Sequence, residues 1–169
     1  LEQGFLNKLN NQSLIKTKIL IMGAGGVVPS IIYTLAKKGV KEIFISNRTP
    51  EKAENIKKKF SFIKIISWEN IEQEAENMDM IINATSLGLK NENNFKQTFK
   101  LLKPDLVYFD VVYNPEETMM IKKFKEKNIK TYNGLEMFIH QGQKSFYLWN
   151  KINPELDDEL KQTITAKLK

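Results

Sequence analysis

The residues best suited to chemistry sit at the ends of short apolar runs. Lys18-Ile19-Leu20-Ile21-Met22 is followed by Gly23-Ala24-Gly25-Gly26-Val27 and then by a helical pattern. Glycines between a strand and a helix let a phosphate approach backbone N–H groups at the positive end of the helix. The third glycine of the usual dinucleotide fingerprint would fall at Val28, and Pro29 removes one further N–H. An ordinary strand-to-helix turn can look the same, so the glycines alone leave both readings open. The second run, Glu42-Ile43-Phe44-Ile45-Ser46, leads into Asn47-Arg48-Thr49, with Lys52 one helical turn on. A site for the 2′-hydroxyl of an NAD ribose offers an acid about 20 residues beyond the glycines. This stretch has none. A carboxylate would repel a 2′-phosphate, whereas an arginine fork grips one bidentately and a threonine hydroxyl can donate to it. The chain has 26 basic residues, and Arg48 is its one arginine. Lysine serves any solvated position, so an arginine here points to NADP in preference to NAD.

Two more runs end in polar groups, Asp79 to Asn83 and Leu106 to Asp110. Asp110 reads as a strand-end acid that holds the following loop through backbone N–H bonds, rather than as a base. Tyr113, in that loop, either donates its phenol to a hydroxyl-bearing substrate or packs as a turn aromatic against Pro115. Beyond them, Leu135, Phe138, Ile139, Gly142, Phe146 and Trp149 form an apolar stripe at helical spacing. Gln141 lies off that stripe with Met137 and Ser145, where it either faces a cleft or is a plain surface residue. His140 is the one histidine, and it reads as a solvated helix residue rather than a general base.

These residues need a scaffold that brings strand ends together. Strands are expected at 18–22, 42–46, 63–66, 79–83, 106–110 and 129–132. Helices are expected after Pro29, from Thr49 as cap, over 69–75, 116–127, 135–150 and 155–168. The polar, Asn-rich stretch 89–103 reads as a flexible loop. Strands alternating with helices imply an α/β fold: a doubly wound, six-stranded parallel sheet of Rossmann type, with helices on both faces and a single domain. Residues 1–17 read as a helix or linker, 18–150 as the nucleotide-binding domain and 151–169 as a C-terminal helix.

Composition closes off other chemistries. The chain has 169 residues, no cysteine and one histidine. Disulfides, thiol nucleophiles and Cys- or His-clustered metal sites are therefore not expected. The absence of cysteine fits a reducing, cytoplasmic setting. No apolar run is long enough to span a membrane and no signal-peptide pattern appears. The net charge of +6 comes from lysines interleaved with glutamates, as in Glu51-Lys52-Ala53-Glu54, so neither nucleic acid nor a membrane surface is an expected partner. The chain begins with Leu rather than Met and reads as a fragment.

Taken together, the motifs resemble the nucleotide-binding half of the shikimate dehydrogenase family. The resemblance is carried by Gly23-Ala24-Gly25-Gly26, Asn47-Arg48-Thr49, Asn83-Ala84-Thr85-Ser86-Leu87-Gly88, Asp110-x-x-Tyr113-x-Pro115-x-x-Thr118 and Gly134-Leu135-Glu136-Met137 followed by Gln141. Five motifs occur in the family's order. Gly4-Phe5-Leu6 is similar to the stretch just after that family's catalytic Asn-Thr-Asp.

The resemblance implies that Gly23, Ala24, Gly25, Gly26 and Val27 form the pyrophosphate loop, with Asn47, Arg48, Thr49 and Lys52 as the 2′-phosphate site. Ala84 and Thr85 would border the adenosine half of the cofactor, and Val111 and Gly134 would meet the nicotinamide largely through backbone. Tyr113 and Gln141 would reach shikimate. The complete enzyme would exchange a hydride between NADPH and 3-dehydroshikimate. The family's catalytic lysine and aspartate belong to an N-terminal domain and match nothing here, so the chain is expected to bind NADP(H) and catalyse nothing alone. Pairing as a homodimer remains open. Alternatives are the related domains of quinate/shikimate dehydrogenases or glutamyl-tRNA reductase, or a non-catalytic nucleotide-binding module.

Overall fold

The computed structural model describes residues 14–89 and 95–168. The expected linker up to residue 13 and the Gly4-Phe5-Leu6 stretch lie outside these residues. Six strands form the sheet: β1 (Lys18–Met22), β2 (Glu42–Ser46), β3 (Lys64–Ile65), β4 (Met80–Asn83), β5 (Val107–Asp110) and β6 (Lys130–Tyr132). Their order is β3-β2-β1-β4-β5-β6 and every pairing is parallel. The order reverses between β1 and β4. In open α/β sheets, such a switch point opens a crevice at the carboxyl ends of the strands.

Central strands are apolar on both sides because both faces are covered. Ile19, Ile21, Ile43, Ile45, Met80, Ile82 and Phe109 point into one cluster. Helices α1 (Val28–Lys37) and α2 (Pro50–Lys59) cover it through Val28, Ile31, Ile32, Leu35, Ala53 and Ile56. The alternate residues Leu20, Met22, Ile81 and Tyr108 enter the opposite cluster. There they meet α3 (Ile71–Ala75), preceded by a 3₁₀ turn at Trp68–Asn70, and α4 (Met119–Glu126). Helices α5 (Leu135–Asn150) and α6 (Asp158–Lys167) follow β6. No described helix is long and apolar enough to cross a membrane.

Four local expectations are corrected. The helix expected from residue 116 begins at Met119, because the Thr118 hydroxyl caps it by accepting from the Ile121 N–H at 3.2 Å. Residues 95–103 are anchored rather than free. Phe95 and Phe99 are buried in the second cluster, and the Thr98 N–H donates to Glu72. The polar composition of that stretch hid two aromatic pegs; residues 90–94 lie outside the described ones. On α5 the core-facing residues are Met137 and Ile139, while Phe138, Phe146 and Trp149 are exposed, Trp149 by 80%. Helical spacing tells which residues share a face and not what covers it. His140 is not a solvated residue: its side chain is 16% exposed, with Nε2 3.7 Å from Glu136 Oε2. Its Nδ1 lies 3.4 Å from Gln143 Oε1. Neighbours one helical turn away on either side fold over the ring.

Candidate functional site

The glycine turn connects β1 to α1. Gly23 has φ +111°, and a Cβ there would lie 2.5 Å from the Ala84 carbonyl oxygen. Only glycine lets the chain leaving β1 pass that close to the chain leaving β4. Gly25 and Gly26 differ. Among the described residues, a Cβ on Gly26 would meet nothing within 4 Å, and one on Gly25 only Ala84 O at 4.0 Å. Their missing side chains leave open space at the helix N-terminus. Among the described residues, the amides of Ala24, Gly25, Gly26 and Val27 donate to no backbone carbonyl. Val27 stands at the N-cap position with no side-chain cap, and Pro29 lies in the first turn. Four unspent N–H groups and the positive end of a helix dipole form an anion cradle. Val28, in place of the third glycine, is fully buried in the core at the start of α1.

Arg48, Thr49 and Lys52 are exposed on the loop after β2 and the first turn of α2. Thr49 occupies the N-cap position but its hydroxyl caps nothing, which corrects the sequence expectation. The loop is held instead by Asn47 Nδ2, which donates to the Thr49 carbonyl at 2.9 Å, so the threonine hydroxyl stays available.

Both segments face one cleft of about 220 Å³. Its walls are Gly23, Ala24, Gly25, Asn47, Arg48, Lys52, Trp68, Ala84, Thr85 and Ser86. No carboxylate is among them. The structure thus brings together eight of the residues singled out from the sequence; Gly26, Val27 and Thr49 are neighbours in the chain and lie off this wall. Trp68 and Ser86 were missed. A lone tryptophan just beyond the third strand, at the carboxyl edge of the sheet, was the available signal.

The loops after β4 and β5 are shaped by a buried polar knot. Asn83 Nδ2 donates to Asp110 Oδ1 at 2.9 Å and to the Leu87 carbonyl at 3.2 Å. Asn83 Oδ1 accepts from the Thr85 N–H and hydroxyl. Asp110 also accepts from the Val112 N–H at 3.1 Å, the Thr118 hydroxyl at 2.8 Å and the Tyr108 hydroxyl at 3.2 Å. Asp110 therefore holds its loop, as expected. Burial pushes its pKa up to about 6 against the opposing pull of these donors. The Tyr108 hydroxyl, fully buried beside Asp110, is raised well above its usual range.

Val111 and Gly134 meet further along the same edge. A Cβ on Gly134 would lie 2.0 Å from the Val111 carbonyl oxygen, and the Gly134 N–H donates to Val112 O at 3.1 Å. Tyr113 stacks on Phe138 of α5, with centroids 4.3 Å apart and planes at 15°. Its aromatic partner is thus Phe138. Gln141, three residues on from Phe138, lies one turn along the helix and is exposed. Among the described residues, no three His, Cys, Asp or Glu side chains are grouped to hold a metal ion.

A parallel sheet in this strand order, with a glycine cradle opposite a basic strand end at the switch point, defines a Rossmann-type dinucleotide-binding fold. The family model described as Shikimate / quinate 5-dehydrogenase matches residues 6–136. The chain belongs to that family. It is 47% identical over 148 residues to the NADP(+) shikimate dehydrogenase of Pelagibacter ubique, covering 88% of this chain and 54% of that protein. It is similar to the crystal structure of shikimate dehydrogenase from Aquifex aeolicus, with a TM-score of 0.80 and 33% identity. That likeness covers 99% of this chain and 59% of the other. The Thermus thermophilus enzyme in complex with NADP(H) and shikimate aligns with a TM-score of 0.79 at 25% identity, covering 99% of this chain and 62% of that one. The chain spans about half the length of the curated relatives it matches.

Proposed function

We propose that this chain is the NADP-binding half of a shikimate dehydrogenase, which interconverts 3-dehydroshikimate and shikimate. The observation that carries this reading is the cleft in which Arg48 and Lys52 face the glycine turn with no carboxylate among its described lining residues. A fork and a point charge suit a phosphate dianion, and no acid among the described residues lining that cleft opposes it. The amides from Ala24 to Val27 take the pyrophosphate at the N-terminus of α1. Asn47 and the Thr49 hydroxyl complete the 2′-phosphate site. Ala84 and Thr85 border the adenosine half, and the Val111 and Gly134 backbone meets the nicotinamide.

The order of these groups follows the sheet. Strand ends β2, β1, β4, β5 and β6 lie side by side, so an extended dinucleotide can run from Arg48 at one end to Gly134 at the other. When bound, the nicotinamide supplies or accepts the hydride. Tyr113, held flat by Phe138, and Gln141 approach the substrate hydroxyls from this side. No residue of this chain is assigned the alcohol proton; that task belongs to a lysine and aspartate of the companion domain. A reducing cytoplasm suits a chain without thiols, and light scattering would decide between monomer and homodimer.

Calorimetry tests the reading. The chain should bind NADPH, bind NADH far more weakly, and reduce no 3-dehydroshikimate by itself. No NADPH binding would favour a non-catalytic module. Turnover at the rate of two-domain enzymes would refute the division of labour.

A further inference from the structure

Beside the glycine cleft lies a second one, of about 380 Å³, lined by Arg48, Trp68, Glu69, Leu87, Lys96 and Gln97. The two clefts share Arg48 and Trp68. Trp68 begins the 3₁₀ turn after β3, and it packs against the second core cluster while remaining half exposed. One part of its indole is thus anchored and the rest faces the seam. Neither the glycine turn nor the expected 2′-phosphate contacts use this ring.

The connectivity of a dinucleotide decides what falls there. With the pyrophosphate at the glycines, in the first cleft, and the 2′-phosphate at Arg48, on the seam, the ribose between them is placed. Its base is bonded to that same ribose and must lie within one ring's reach of Arg48, on the side away from the glycines. That side is the second cleft. A half-buried indole with an aliphatic neighbour, Leu87, is the surface on which a flat heterocycle stacks. The amide of Gln97 and the carboxylate of Glu69 provide acceptors at the rim for an exocyclic amino group. We propose that Trp68 is the platform on which the adenine ring of the cofactor stacks. This rests on the NADP reading above.

The test uses a probe without nicotinamide, adenosine 2′,5′-bisphosphate. The chain has two tryptophans, and Trp149 is exposed on α5, so Trp149→Phe leaves Trp68 as the only indole emitter. Saturating that variant with the bisphosphate should quench its fluorescence, with a midpoint equal to the calorimetric Kd of the unaltered chain. Trp68→Ala should weaken the bisphosphate and NADP+ about fivefold to a hundredfold, the span to which stacking of one base converts. Trp68→Phe should stay within about threefold of the unaltered chain, since a smaller ring still stacks. Unmoved Trp68 emission during saturable binding, or unchanged affinity in Trp68→Ala, overturns the platform and leaves the NADP reading standing. If the unaltered chain binds neither NADP+ nor the bisphosphate, both fall.

Discussion

Replacing Asp110 tests the buried knot that shapes both loops of the site. Its carboxylate is inaccessible to solvent, and burial lifts its pKa from 3.8 to about 6 although four groups donate to it. The folded chain therefore holds this proton more tightly than the unfolded chain. Between pH 3.8 and about 6, the folded state binds more protons, so this group lowers stability as pH rises through that window and adds no further slope above it. A shift of about two units corresponds to about 3 kcal/mol of cost at pH 7. Asp110→Asn removes the ionisation but keeps the shape. Its Oδ1 can still accept from Asn83 and Val112, and its Nδ2 can donate to the oxygens of Tyr108 and Thr118. Urea unfolding followed by circular dichroism from about pH 4.5 to 7.5 reads the difference between the two chains. The stability of Asp110→Asn relative to the unaltered chain should rise by about 2 kcal/mol across that range, most of it below pH 6, and then level off. Asp110→Ala strands four buried donors and should cost several kcal/mol at every pH, at about 1–3 kcal/mol each. A difference between Asn and Asp that is flat across this range, or that moves the other way, would refute the dominance of burial over the four donors.

Other substitutions separate holding the fold from holding the ligand. Arg48→Ala should weaken NADPH by about 1.5–3 kcal/mol and leave NADH nearly unchanged; equal losses in calorimetry would sink the 2′-phosphate assignment. Gly134→Ala drives a methyl into the Val111 carbonyl and should destabilise the chain by about 1–3 kcal/mol or more in urea melts. Gly26→Ala meets open space, so its melting midpoint should stay put while NADPH affinity drops at least tenfold; a Gly26→Ala chain that binds normally would empty the cradle of its role.

The fold was legible because its signals are local and repeated. Each strand is a short apolar run bounded by turn residues, and the alternation with helical spacing specifies parallel pairing without any long-range information. The basic end of the site was legible for another reason. A chain that uses lysine throughout and arginine once marks that position by residue type. Hidden features depend on contacts between distant segments. Thr118 looks like a loop residue until Asp110, eight positions earlier, is seen to orient its hydroxyl. Trp68 gains meaning only when the loop after β2 brings Arg48 to the same cleft. Phe95 and Phe99 sit in a polar stretch whose average masks them, and α5 shows the converse, an apolar stripe whose aromatic members stay exposed.

Asp110 joins the two halves of the site. Through Asn83 it fixes the turn from Ala84 to Leu87, which borders the adenosine cleft. Through Val112 and Thr118 it fixes the loop that carries Val111 and Tyr113. One buried carboxylate thus sets the spacing between the surface proposed for adenosine and the surface proposed for nicotinamide. Its cost in desolvation is borne whether or not ligand is present, so the edge is ordered before binding and little loop entropy remains to be lost on association. A carboxylate suits this place better than an amide because it can accept from four donors at once and gives none back. Stability at neutral pH is what the fold gives up for that geometry. Asparagine at position 110 should therefore raise stability at neutral pH, but because its amide turns the Tyr108 and Thr118 hydroxyls from donors into acceptors, calorimetry should show NADPH bound more weakly.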